Sequence, residues 1–243
     1  KKFKNFSTIS KPIFILAFSL VSYSKSLEKF ITNLFPKIEI KNTIGDVISQ
    51  IGLKQLRLAE TEKYAHVTYF FNCGNENKLE GEDRILVQSP KVKTYDLKPN
   101  MSILEVSDHL IKAIKSIKYD FIVVNFANPD MVGHTGKLNA AIKACEAVDN
   151  SLGKILKEAE KNKVNILIVA DHGNCEEMIN FKTGQPHTAH TLNQVPIILV
   201  SNDLRVKIFD GILSDVAPTL LDLMGVNKPI EMTGKSLLKK NDK

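Results

Sequence analysis

The segment Phe121-Ile122-Val123-Val124-Asn125-Phe126-Ala127-Asn128-Pro129-Asp130-Met131-Val132-Gly133-His134-Thr135-Gly136 joins an apolar run of strand length to a loop carrying an aspartate and a histidine. The pattern recurs downstream, where the apolar run Val164 to Val169 leads into Ala170-Asp171-His172-Gly173-Asn174. Strands that are apolar throughout are buried on both faces, the habit of a parallel sheet covered by helices. The sequence around them agrees. Thr43 to Leu53 reads as a short helix, Arg84 to Gln88 as a strand, and Ser102 to Ile117 as an amphipathic helix with Ile103, Val106, Leu110, Ala113 and Ile114 on one face. Asn139 to Lys161 reads as a long helix, Val195 to Val200 as a strand, and Ile212 to Met224 as a helix stopped by Gly225. Periodicity leaves Tyr64 to Phe71 open between helix and strand. The expected fold is α/β, a mainly parallel sheet with helices on both faces. The first forty residues do not continue this alternation, which places a domain boundary near residue 40.

In such sheets, function collects in the loops beyond the carboxyl ends of the strands. Asp130 with His134, and Asp171 with His172, are therefore expected on one edge of the sheet. A third segment, His187-Thr188-Ala189-His190-Thr191, brings the histidines in such loops to four of the chain's six. Carboxylate and imidazole donors suit a borderline divalent ion such as Mn, Zn, Fe or Co. Gly133 and Gly136 let the first loop wrap an ion, and Gly173 permits the turn that would bring Asp171 and His172 to one centre. Five ligands, Asp130, His134, Asp171, His172 and His190, are too many for one open catalytic ion and reasonable for two. Two divalent ions would carry four positive charges against two carboxylates, so further anionic ligands or a bound phosphate are required. His187 fits a phosphate-facing or supporting role as well as that of a ligand, and His66 and His109 read as structural.

With 243 residues, 43% of them hydrophobic, the chain can bury a full domain core. Its net charge of +6 comes from lysines spread along the chain with little aromatic interleaving, which argues against nucleic-acid binding. Cys73, Cys145 and Cys175 are odd in number and lack C-x-x-C spacing, which points to a reducing, cytoplasmic compartment. Cys175 reads as a small side chain packed near the site, not a thiolate ligand. Lys1, Lys2 and Lys4 before the apolar stretch Ile13 to Val21 look like a signal peptide, but no small-x-small cleavage site follows. That stretch is too short to span a bilayer and is expected to be a buried strand, so no membrane partner is expected. A first residue that is lysine, not methionine, suggests a fragment or processed product.

The three ligand segments, together with Gln55-Leu56-Arg57-Leu58-Ala59-Glu60-Thr61-Glu62-Lys63-Tyr64-Ala65-His66-Val67-Thr68, closely resemble the 2,3-bisphosphoglycerate-independent (cofactor-independent) phosphoglycerate mutase family. Ser89-Pro90-Lys91-Val92, Thr94-Tyr95-Asp96 and Met232-Thr233-Gly234-Lys235-Ser236-Leu237 extend the likeness over roughly residues 40 to 240. The ordered set is specific, whereas Asp-His-Gly alone would indicate only the wider alkaline-phosphatase-like superfamily. The resemblance implies an alkaline-phosphatase-like domain with two manganese ions. Asp130, His134 and His190 match the ligands of one ion, Asp171 and His172 match ligands of the other, and Lys63 matches a lysine that contacts the phosphoryl group. It implies the interconversion of 3-phosphoglycerate and 2-phosphoglycerate, in glycolysis and gluconeogenesis, through a phosphoserine.

The chain also departs from the family. An N-terminal piece bearing a metal-binding aspartate and the nucleophilic serine has no counterpart in it, nor does most of the inserted transferase domain. Residues 1 to 40 resemble only the tail of that insert, and 41 to 243 the C-terminal part of the phosphatase-like domain, so the fold is expected to be incomplete at its N-terminal side. Cys73 stands where the family usually has glycine. Three functions follow as candidates: a mutase portion active only with its N-terminal partner, a non-catalytic metal-binding remnant, and a stand-alone metal-dependent phosphatase or phosphodiesterase. The Lys63 segment argues against the third, and the missing serine against any autonomous activity.

Overall fold

The computed structural model describes residues 18–20, 30–35, 40–203 and 205–240. The chain divides into two compact units, Lys1–Ile40 and Lys41–Lys243. In the first, β1 (Phe18–Ser19) pairs parallel with β2 (Thr32–Asn33). Phe18 is exposed, so this part of the apolar stretch is not the buried strand that its composition predicts. The remainder of the stretch, apart from Leu20, lies outside the described residues.

The second unit opens with α1 (Ile44–Gln50), which Thr43 caps. The Thr43 hydroxyl accepts from the Asp46 amide and the Asp46 carboxylate accepts from the Thr43 amide, so two otherwise orphaned donors are satisfied. A parallel three-stranded sheet follows, with β3 (Gln55–Glu60) at its centre between β4 (Glu82–Val87) and β5 (Phe121–Asn125). In this register the strands end side by side. The residues after β3 and β5, Lys63 and Asp130 among them, therefore leave the same edge.

Hydrophobic periodicity does not single out β3, because Gln55 and Arg57 interrupt it, yet all six of its residues are buried. Its apolar face, Leu56 and Leu58, joins Val87 in a core closed by α3 (Ile103–Ser116) and α5 (Leu138–Lys161). On its other face the Arg57 guanidinium donates to Gln55 Oε1 at 2.7 Å and lies over the rings of Phe71 and Phe121, 4.5 and 5.6 Å from their centroids. Burial lowers the Arg57 pKa to about 10, against the opposing pull of Glu82.

The remaining elements refine the expected ones. Tyr64 to Phe71 resolves into a single helical turn, α2 (Tyr64–Val67), followed by turns. The Asn128-Pro129-Asp130 loop coils into α4 (Asn128–Gly133), with its proline at the start, where an amide donor is not needed. The strands β6 (Ile166–Val169) and β7 (Ile197–Val200) pair antiparallel with each other, and β8 (Val206–Ile208) pairs antiparallel with β9 (Leu238–Lys240). Among the described residues β5 is hydrogen-bonded only to β3 and β6 only to β7. The strands that carry Asp130 and Asp171 are therefore not direct partners, although Val124 and Ile166 pack on the same core. The expected helix Ile212 to Met224 is shorter: a 3-10 turn (Leu213–Asp215) precedes α6 (Val216–Leu223). No helix among the described residues is long and apolar enough to cross a membrane.

Candidate metal centre

Asp130 is the hub. Its Oδ1 lies 3.0 Å from His134 Nε2, 3.1 Å from His190 Nε2 and 4.0 Å from His172 Nε2. Helix geometry supplies the first of these contacts, since Asp130 and His134 stand four apart across α4 and share a face. His190 stacks on His172 with ring centroids 3.6 Å apart. Its Nε2 is 3.1 Å from that of His134. Asp130, His172 and His190 each offer a donor atom, all within 4.8 Å of one another.

The other oxygen of Asp130, Oδ2, accepts from the ammonium of Lys63, a side chain only 9% exposed. Asn174 donates to Asp130 Oδ1 at 2.9 Å. Burial by itself would raise the Asp130 carboxyl. The hydrogen bonds from Lys63 and Asn174, with the charges of Lys63 and His134, outweigh it and hold the group at about 2.

The imidazoles are turned as ligands would be. Nδ1 of His134 faces the Thr188 carbonyl at 2.7 Å, and Nδ1 of His172 faces the Gly173 carbonyl at 3.3 Å. Each Nε2 is left directed toward Asp130. A ring nitrogen anchored on a carbonyl fixes the orientation and basicity of the other nitrogen, the usual arrangement for a ligating histidine. One carboxylate and three imidazoles thus fit a borderline divalent ion.

The remaining predicted residues are placed differently. The Asp171 side chain is 63% exposed, and its Oδ2 meets His172 Nε2 at 3.5 Å, outside the compact group around Asp130. The compact group draws His172 together with Asp130 and His190, across the division into two ligand sets that the family resemblance implies. His187 stands outside this group, with its Nδ1 buried and unpartnered. Cys175 is likewise outside it: its thiol donates to the Pro129 carbonyl at 2.8 Å.

Sequence reasoning missed two neighbours. Asn174 and Glu176 follow His172 closely enough that their spacing could have marked them. His66, expected to be structural, does pack edge-on against Phe70 at 5.3 Å. Burial lowers its pKa, and it also feels the charges of Lys63, Asp171 and Asp130.

A sequence model described as the Metalloenzyme superfamily matches residues 19–228. The chain belongs to that superfamily. Its membership accords with the alkaline-phosphatase-like α/β fold and with the donor set around Asp130. Among curated relatives, the 2,3-bisphosphoglycerate-independent phosphoglycerate mutase of Roseobacter denitrificans is 52% identical over 97% of this chain. That of Agrobacterium fabrum is 54% identical over 94%, and the protein named mutase 2 in Methanosarcina barkeri 55% identical over 91%. The chain spans 46, 45 and 42% of the lengths of these three relatives, respectively. Among solved structures, Leishmania mexicana phosphoglycerate mutase at low cobalt concentration superposes with a TM-score of 0.79 at 31% identity, covering 86% of this chain and 41% of that one. This member of the Metalloenzyme superfamily is thus similar to about half of a phosphoglycerate mutase.

Proposed function

We propose that the chain is the C-terminal portion of a manganese-dependent, cytoplasmic phosphoglycerate mutase that interconverts 3-phosphoglycerate and 2-phosphoglycerate, and that it does not turn over alone. The observation that carries this reading is the convergence of Lys63, His134, His172 and His190 on the single carboxylate of Asp130. The identity to named mutases supports it. In this reading residues 1–40 are the tail of the transferase domain and 41–243 the C-terminal part of the phosphatase-like domain.

Asp130, His134 and His190 would hold one ion, and Asp171 and His172 the other. Such ions supply Lewis-acid polarisation of a phosphoryl oxygen. Lys63 provides a buried point charge suited to a phosphate, and it pairs with Asp130. Asn174 keeps the carboxylate oriented through its bond to Oδ1. The covalent step needs an activated hydroxyl, which the segment with the nucleophilic serine would bring. Support for association with that segment comes from β5 and β6, each of which leaves one edge unpaired among the described residues. An unpaired edge is a template for another strand.

The test is to assay the purified chain with either phosphoglycerate across a manganese titration, alone and with a separately expressed N-terminal portion of a full-length relative. The chain alone should be inactive, the mixture should regain activity, and Asp171→Ala should abolish what is regained. Turnover by the chain alone would overturn its dependence on a partner. An inactive mixture whose two portions demonstrably associate would overturn the mutase assignment.

A further inference from the structure

Glu176 is an exposed carboxylate four residues beyond His172, and every bond it accepts comes from a loop that carries a candidate ligand. Oε2 accepts from the Asn174 amide at 2.6 Å. Oε1 accepts from the Thr191 hydroxyl, and from Asn193 Nδ2 at 3.1 Å. Beside this carboxylate the Thr191 amide donates to the Gly173 carbonyl at 3.0 Å, forming an antiparallel bridge between the two loops. Gly173 immediately follows His172, and Thr191 immediately follows His190. A β-carbon on Gly173 would lie 2.2 Å from both Glu176 Oε1 and Thr191 Oγ1, so this approach requires glycine. Asn174, held by Glu176 through its backbone, sends its side chain to Asp130.

We infer that Glu176 is a positioning residue, a clasp that fixes the loops of His172 and His190 so that their imidazoles face Asp130 in a geometry that accepts a divalent cation. The inference rests on the metal-binding reading of the site. It adds a residue that touches none of the candidate ligand atoms yet sets where three of the ligands stand. A carboxylate accepting several bonds from separate segments orients them more sharply than isolated turn contacts, because charge-assisted bonds are about twice as strong as neutral ones. The same bonds, led by that from Thr191, hold the Glu176 carboxyl below its ordinary range against the cost of its partial desolvation. Glutamine is a poor replacement: with its oxygen on the Asn174 amide, its nitrogen faces Thr191 and Asn193, which must turn their hydroxyl and amide to accept, and the charge that strengthens all three bonds is lost.

The experiment compares the full chain with Glu176→Gln and with Glu177→Gln, which removes the same charge one residue away. Binding of Mn(II) is read from the electron paramagnetic resonance signal of the free ion, and Co(II) serves as an optical probe of ligand geometry. Glu176→Gln should weaken Mn(II) binding by about 10- to 100-fold, the scale for residues that orient metal ligands, and alter the Co(II) absorption bands. Glu177→Gln should stay within about twofold of wild type by the same measure. Binding that Glu176→Gln leaves intact, or that both variants weaken equally, overturns the clasp. If Glu176→Gln does not fold, Thr191→Val, which deletes one accepted bond isosterically, replaces it, and unchanged Mn(II) affinity in that variant overturns the clasp. Wild-type chain that binds neither ion overturns the metal reading itself.

Discussion

Replacing Lys63 by methionine keeps the length and apolar stem of a buried side chain while removing the charge that Asp130 faces. The Asp130 carboxyl sits at about 2 against an ordinary value of 3.8. At about 1.4 kcal/mol per pKa unit, that difference makes the environment of the carboxylate worth about 2 kcal/mol of stability. Asp130 is only 15% exposed, so solvent screening takes little from this figure. Because the folded pKa is depressed, the contribution is complete above the unfolded pKa and disappears as pH falls through the folded one; about half is gone by pH 3. In Lys63→Met, burial opposes the remaining bond from Asn174 and the charge of His134, and the carboxyl should return toward its ordinary range. Urea unfolding followed by circular dichroism, with a chelator present, should show the variant less stable by about 2 kcal/mol at pH 6 and by about 1 kcal/mol at pH 3. A stability difference that does not change between those pH values would refute the argument that Lys63 sets the Asp130 charge. An absent difference would refute the pairing altogether.

Two further substitutions test local geometry. Gly133→Ala would ordinarily stabilise a helix, but the added methyl would lie 2.3 Å from Asn174 Oδ1 and 3.1 Å from Cys175 Sγ. A loss of about 1–3 kcal/mol in urea unfolding is expected, together with weaker Mn(II) binding; a stabilised variant would show that the Asn174 contact is misplaced. Cys73 has a φ of +51°, in the left-handed region that favours glycine. Cys73→Gly should therefore stabilise the chain by about 0.5–1 kcal/mol, and a destabilised variant would contradict the strain assigned to this position.

Much of the fold and part of the site are legible in the sequence. The helices α3 and α5 and the strands β5 and β6 declare themselves because a uniform local environment repeats along each: one buried face, or burial on both sides. Asp130, His134, Asp171, His172 and His190 stand out as candidate ligands because so many carboxylate and imidazole side chains gather in loops beside apolar strands. The central strand β3 escaped this reading, since Gln55 and Arg57 look solvent-facing until Gly45, Phe71 and Phe121 arrive from elsewhere in the chain to cover them. The antiparallel pairing of β6 with β7 and the truncation of α6 were hidden for the same reason, because both depend on which distant backbone groups compete for hydrogen bonds.

For the site, sequence by itself determined the inventory of donors and the kind of ion they suit, because softness and charge belong to each side chain wherever it stands. Tertiary structure alone decided that one carboxylate, Asp130, gathers Lys63 and three imidazoles, that Asp171 stands apart, and that Glu176 clasps two loops. Distances of this kind come from the packing of α4 and the loops around it, and packing is a property of residues far apart in sequence that no local pattern records.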